Sequence, residues 1–178
     1  MWVVDRETYE RNILKGMIMP TARQKDACDL LDADHKAVKK MFTEFEELTE
    51  ARGNTREKKR QLAEKICLEL TVHAQIEEEI FYPPVRKAIK DELMMNEAEV
   101  EHMTAKDLIA QIQAMQPDDP LYDAKVVVLG EYIDHHVKEE RTEMFPKARA
   151  SKVDLVKMRD ALQTRKEELM AELEQVAA

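Results

Sequence analysis

Glycine is scarce in this chain of 178 residues, which holds 3 glycines and 6 prolines. An all-β fold needs a turn roughly every 8–12 residues, built largely from Gly, Pro, Asn and Asp, so this scarcity argues against one. Aromatic residues make up 5% of the chain. Ala, Leu, Met, Glu and Lys dominate instead, and nearly all of these are good helix formers. Cysteine is also sparse: Cys28 and Cys67 have no metal-ligand spacing and read as small buried hydrophobes, which excludes a disulfide framework. No apolar run approaches the roughly 18 residues that a membrane span needs. The opening stretch "MWVVDRETYERNILKG" breaks its apolar character with charge too early for a signal peptide. A basic face is missing too. Lys and Arg number 28 against 37 Asp and Glu, a net charge of −9, and the cations are scattered among acids. Nucleic acid and anionic membrane are therefore not expected partners, and a cytoplasmic protein is expected.

What is present is helical periodicity interrupted by clear breakers: Pro20, Gly53-Asn54, Pro83-Pro84, the "QPDDP" of 116–120, Pro146, and Ser151 as a candidate N-cap with Asp154 three residues later. The spacing predicts long helices at about 23–50, 55–82, 96–115 and 121–145, with a short helical piece after Pro84. Short connections between helices of this length favour an all-α, up-down-up-down four-helix bundle. A further amphipathic helix, from about Lys152 to Glu174, carries Leu155, Met158, Leu162, Leu169 and Leu173. It is expected to pack on the bundle, or to pair with a second copy as a homodimer. The expected division is an N-terminal extension at 1–22, the bundle at 23–150 and the C-terminal helix at 151–178. "MPTARQ" from Met19 reads like a protein start preceded by an extension.

The apolar stripes contain titratable groups. His35 lies in the first stripe, His73 and Glu77 in the second, His102 in the third, and His136 and Glu140 in the fourth. The stretch "HAQIEEEIFYPPVR" also repeats in outline as "HHVKEERTEMFPKAR". His73 matches His136, Glu77 matches Glu140, Pro83 matches Pro146 and Arg86 matches Arg149. The chain thus reads as two similar helical hairpins related by a pseudo-two-fold axis. One core histidine would be unremarked packing, since a single hydrogen bond satisfies it. Two inward carboxylates are different, because they repel unless a cation holds them and no inward Lys or Arg interrupts the stripes. Four imidazoles and two carboxylates exceed the four-coordinate preference of zinc and suit two ions bridged by carboxylates. A donor set without thiolate points to iron or manganese, and two irons are the expectation. By the hairpin symmetry, His35 and His73 would serve one iron and His102 and His136 the other. Glu77 and Glu140 would span both, together with an oxo or hydroxo bridge.

On these residues the chain resembles the hemerythrin-like family, the HHE cation-binding domain. The shared features are a histidine on the first helix, "HAQIEEEIFYP" as the H-x3-E motif of the second, "EH" on the third, and "HHVKEERTEMFP" as the motif of the fourth. The resemblance covers roughly residues 25–150. It implies a non-haem di-iron centre with His35, His73, Glu77, His102, His136 and Glu140 as ligands. Oxygen-carrying members place a fifth histidine one turn before the third-helix ligand, a position that is Ala98 here. They also put the last carboxylate five residues after its histidine. Glu140 is four after His136 and five after His135, so spacing leaves that pair open, while the stripe through Ile133 and the match to His73 select His136.

The resemblance implies that dioxygen, hydrogen peroxide or nitric oxide is the small ligand. The role would be redox detoxification of a catalase, peroxidase or oxidase type, or iron and oxygen sensing without turnover. Ala98 argues against reversible oxygen carriage. A ferritin-like reading, prompted by Glu99-x-x-His102 and Asp32-x-x-His35, has no use for His73 and His136. Glu99 and Asp32 are read as surface residues, and Glu78, Glu79 and Glu139 as solvated. Tyr82 and Phe145 are expected to close the bundle end as core aromatics, and Tyr132 to pack in the core.

Overall fold

In the computed structural model, which describes residues 23–177, helices are joined by short connections and no strand occurs among the described residues. The expected extension at 1–22 lies outside the described residues. Helix α1 (Ala27–Glu50) begins at a capping box. Asp29 N–H donates to the Asp26 carboxylate at 3.0 Å, and Asp26 N–H donates to the Asp29 carboxylate at 2.8 Å. The chain turns back through Gly53, whose φ of +106° suits a residue without Cβ. Helix α2 (Arg56–Ile76) follows, then a π-helical turn (Glu77–Phe81) and α3 (Tyr82–Ile89), which stops at left-handed Lys90. Asp91 caps α4 (Glu92–Gln113). Helix α5 (Tyr122–Glu139) runs into a second π turn (Glu140–Met144) and α6 (Phe145–Ala150), and α7 (Leu155–Ala177) is the last helix among the described residues.

Three expectations need correcting. The third long helix starts at Glu92, because the acidic cap at Asp91 precedes the apolar stripe by most of two turns. The last helix is capped by Asp154, which accepts from Lys157 N–H at 3.0 Å, whereas the Ser151 hydroxyl donates back to the Ala148 carbonyl at 2.6 Å. The prolines at 83, 84 and 146 do not end their helices. Proline lacks the N–H that an α-helix would spend on the carbonyl four residues earlier, and its ring crowds that carbonyl. The backbone widens by one residue just upstream, so that Tyr82 N–H donates to the Glu77 carbonyl and Phe145 N–H to the Glu140 carbonyl. The helix then continues on a shifted face.

Helices α1, α2, α4 and α5 form the up-down-up-down bundle, with α1 beside α2 and α5, and α4 beside the same two. Its core divides in two. Val38, Phe42, Phe45, Ile66, Leu70, Ile109 and Leu129 fill one side, and Leu31, Ile76, Phe81, Met95, Met144 and Phe145 the other. The histidines of the stripes fall between these two clusters in each helix. Gly130 lets α5 approach α1 closely, since a Cβ there would meet the Phe42 ring at 2.9 Å. Helix α7 lies along α1 and α2 and buries Leu155, Met158, Leu162 and Leu169 in the second cluster. Each such side chain contributes about 1.5–3 kcal/mol as an upper figure, so its apolar face is strongly held within the chain.

The two matched arginines show the pseudo-symmetry at work. Arg86, beyond the first π turn, binds Glu92 and Glu99 on α4, and Arg149, beyond the second, binds Asp26 and Asp29 at the start of α1. Burial alone would raise the Asp26 pKa, but the hydrogen bonds from Arg149 and from Asp29 N–H bring it down to about 2. A depressed carboxylate stabilises the fold above its unfolded value near 3.9, and that contribution is lost as pH falls toward 2. Arg149→Leu is therefore expected to lower Tm by about 2–4 °C at pH 6, for a loss near 1 kcal/mol. The gap to the unaltered chain should narrow between pH 4 and 2 in calorimetric scans.

Candidate metal centre

The six residues picked from the stripes meet at one place. His35 Nε2 lies 2.8 Å from His73 Nε2, and His102 Nε2 lies 3.2 Å from His136 Nε2. Glu77 stands between the pairs, with Oε1 3.3 Å from His73 Nε2 and Oε2 3.4 Å from His102 Nε2. Glu140 Oε2 is 3.2 Å from His35 Nε2 and 3.7 Å from His136 Nε2. All six are buried, and Glu77 has no exposed surface. Two compact groups of ligand atoms result: His35, His73, Glu77 and Glu140 in one, and Glu77, His102 and His136 in the other. His135, by contrast, is 62% exposed and faces Glu139 and Glu101.

This arrangement fits a pair of cations. Glu77 Oε1, Glu77 Oε2 and Glu140 Oε2 are buried without a hydrogen-bond partner, an expensive state for charged oxygens. No Lys or Arg among the described residues forms an ion pair with either glutamate. Imidazole nitrogens turned toward one another and toward carboxylate oxygens, with no thiolate, form a donor set for a transition metal.

Behind the cage stands a ring of acids that orients the imidazoles. Asp34, on α1, places Oδ2 3.5 Å from His73 Nδ1. Its counterpart Glu101, on α4, accepts from His136 Nδ1 at 2.6 Å. The acid that precedes the histidine on the first helix of each hairpin thus serves the histidine on the second. Glu78 accepts from His102 Nδ1 at 2.9 Å and is itself bound by Lys106, so it is not merely solvated. The hydrogen bonds to Glu78 and Glu101 fix the tautomer that leaves Nε2 free for a metal, and Asp34 stands at ion-pair distance from His73 without a hydrogen bond. Asp32 and Glu99 pair instead with Arg141 and Arg86.

The symmetry breaks at two positions. The residue after Glu140 is Arg141 where the first motif has Glu78, and it turns to Asp32, leaving His35 Nδ1 unpartnered. The residue before Pro146 is Phe145 where the first motif has Tyr82. Phe145 stacks parallel to His35 at 6.0 Å, whereas the Tyr82 hydroxyl donates to Glu140 Oε1 at 3.0 Å and lies 3.1 Å from His102 Nε2. Tyr82 is therefore part of the centre as well as of the core. At 3.6 residues per turn, Glu77 and Tyr82 point about 140° apart. Only the π turn brings them to one face, and the signal for it was the paired proline. Tyr132 sits partly buried among the core residues, as expected.

Charge in the cage is balanced by protons when no cation is present. Burial lowers the His73 and His102 pKa values, but Glu77 and Asp34 outweigh it at His73 and raise it to about 10, and the nearby Glu77 and Glu78 carboxylates raise His102 to about 9. Burial pushes Glu77 upward, and His73 and His102 hold it well below the usual carboxylate range. Burial and Glu140 push the Tyr82 phenol well above its ordinary value.

The profile of the Hemerythrin HHE cation binding domain matches residues 26–148. A curated relative named DNA nickase, from Nostoc sp. strain PCC 7120, is 32% identical over 117 residues. The match takes in 66% of this chain and 32% of that protein, so the chain spans about a third of the relative's length. A crystal structure of a hemerythrin HHE cation binding domain-containing protein from Mycobacterium kansasii superposes with a TM-score of 0.69 at 20% identity. It covers 83% of this chain and 89% of that one, which bears on the fold. With the profile spanning more than half of its length, the chain belongs to the hemerythrin HHE cation-binding domain family.

Proposed function

We propose that the chain holds two irons among His35, His73, Glu77, His102, His136 and Glu140, and reacts there with dioxygen, peroxide or nitric oxide in redox detoxification or sensing. The observation that carries this reading is the set of three unpartnered, buried carboxylate oxygens turned toward four imidazole Nε2 atoms. Two ferrous ions there would supply two electrons to a small oxidant. The protein's share is positioning and proton supply. Glu78 and Glu101 bond two imidazoles in register while Asp34 faces a third, and the Tyr82 hydroxyl donates to Glu140 Oε1 beside His102. A cavity of about 30 Å³ adjoins the four histidines, walled by Val38, Leu70, Ala105, Ile109 and Ile133. It has room for a diatomic or a water-sized molecule and little else. Two buried free thiols accord with a reducing, cytoplasmic setting. DNA cleavage is not carried over from the Nostoc relative, because the match covers 32% of that protein and this chain carries a net charge of −9.

The test is to load the chain with ferrous iron under anaerobic conditions and add dioxygen, peroxide or nitric oxide in turn, following absorption and reagent consumption. Catalytic loss of peroxide supports detoxification, and stoichiometric oxidation with a change in protease sensitivity supports sensing. An absence of reaction with all three would overturn the reading. Tyr82→Phe is expected to keep its iron but slow oxidation by peroxide roughly 100-fold in stopped-flow traces, since it removes the positioned proton donor.

A further inference from the structure

Helix α7 lies beyond the segment that matches the family, which ends at residue 148, yet it reaches the metal centre. Lys166 Nζ donates to Asp34 Oδ1 at 2.7 Å and lies 3.6 Å from Glu69. The other oxygen of Asp34 faces His73 Nδ1, and His73 Nε2 faces Glu77 in the cage. The C-terminal helix thus meets the ligand atoms through a bonded carboxylate that stands at ion-pair distance, 3.5 Å, from the His73 imidazole. Lys166 and Asp34 are 20% and 15% exposed, so water screens the pair incompletely.

The other two orienting acids show the same layering. Glu78 is backed by Lys106 at 2.6 Å, and Glu101 is approached by His135 at 3.7 Å. Those partners sit on α4 and α5, within the family segment. At His73 alone among these three, the partner comes from outside it. Held by Lys166 through one oxygen, Asp34 keeps its charge and turns the other oxygen to His73, which fixes the proton on Nδ1 and the lone pair on Nε2. Without the ammonium, the carboxylate is free to turn toward solvent and the ring loses its lock.

We propose that α7 is a working part of the metal centre, in which Lys166 is a positioning residue that fixes Asp34 against His73 and so retains the ion held by His35 and His73. The proposal rests on the two-iron reading above. Its neighbour Arg165 supplies the control, because it docks the same helix through Glu79 at 2.8 Å and touches no residue that orients a histidine.

The experiment uses the full chain loaded with ferrous iron and follows anaerobic release to a chelator. Lys166→Met is expected to speed release of one ion roughly tenfold or more, with the other unchanged, in line with the cost of losing an outer partner of a metal ligand. Lys166→Arg should restore slow release, and Arg165→Met should leave both rates as they were. Asp34→Asn should speed the same phase, and adding Lys166→Met to it should do nothing further, because the lysine acts through that carboxylate. Equal acceleration by Arg165→Met, or additive effects of Asp34→Asn and Lys166→Met, would show helix docking rather than positioning and overturn the proposal. Unchanged release from Lys166→Met would overturn it as well. An unaltered chain that takes up no iron would instead overturn the two-iron reading itself.

Discussion

Glu77→Ala is expected to leave the protein almost free of iron, while His35→Ala keeps about one ion per chain and His135→Ala keeps both. The reasoning is geometric. Glu77 belongs to both groups of ligand atoms, one oxygen against His73 and the other against His102, and it is wholly buried. Alanine removes a donor from each half and the negative charge that would offset two cations in a dry site. His35 serves one half, so its loss leaves Glu77, His102 and His136 in place. His135 is exposed and faces Glu101 and Glu139. Metal analysis of the three desalted variants decides the matter. Equal iron in Glu77→Ala and His135→Ala would show that the cage is assigned wrongly.

The second large effect concerns protons. In the metal-free cage His73 titrates at about 10 and His102 at about 9, so at pH 8 both carry protons that offset the buried carboxylates. Binding two cations must expel them, because a ligating imidazole is neutral. Loading at pH 8 in weak buffer is therefore expected to release about two protons per chain, read by a pH indicator. The sign for stability follows. A histidine whose folded pKa is raised above the unfolded value near 6.5 stabilises the metal-free fold below pH 6.5, and that contribution is lost as pH rises through 9 to 10. Metal binding runs the other way, since it strengthens as protons leave. With metal at 1,000 times its Kd the gain is about 4 kcal/mol, or roughly 8–16 °C in Tm. The metal-dependent rise in Tm is expected to be largest near pH 9 and to shrink toward pH 6. A rise independent of pH would mean that the histidines do not exchange protons for metal.

Much of this was legible in the sequence because helical periodicity and the repeat of His-x3-Glu act at the same spacing. The bundle and the convergence of His35, His73, His102 and His136 follow from residues placed one turn apart on apolar stripes. The capping signal misled at Ser151, where the acid three residues on forms the cap itself, and the Asp26 cap went unread inside a helix expected from residue 23. Tyr82 was hidden for a different reason. Projection at a fixed 3.6-residue period cannot register a turn that widens by one residue, and Pro83 and Pro84 read as terminators rather than as the cause of the widening. Glu78 and Lys166 were illegible because their partners lie on other helices, 24 and 132 residues away. Cross-helix contacts of that kind depend on rotation and depth of packing, which a single stripe does not specify.

Iron stoichiometry tests the central claim most directly. The chain should be loaded anaerobically with ferrous iron, desalted and analysed for metal against protein. The account predicts close to two irons per chain, held by the four histidines and two glutamates. Retention of no iron would contradict it, and so would a single iron that survives replacement of Glu77.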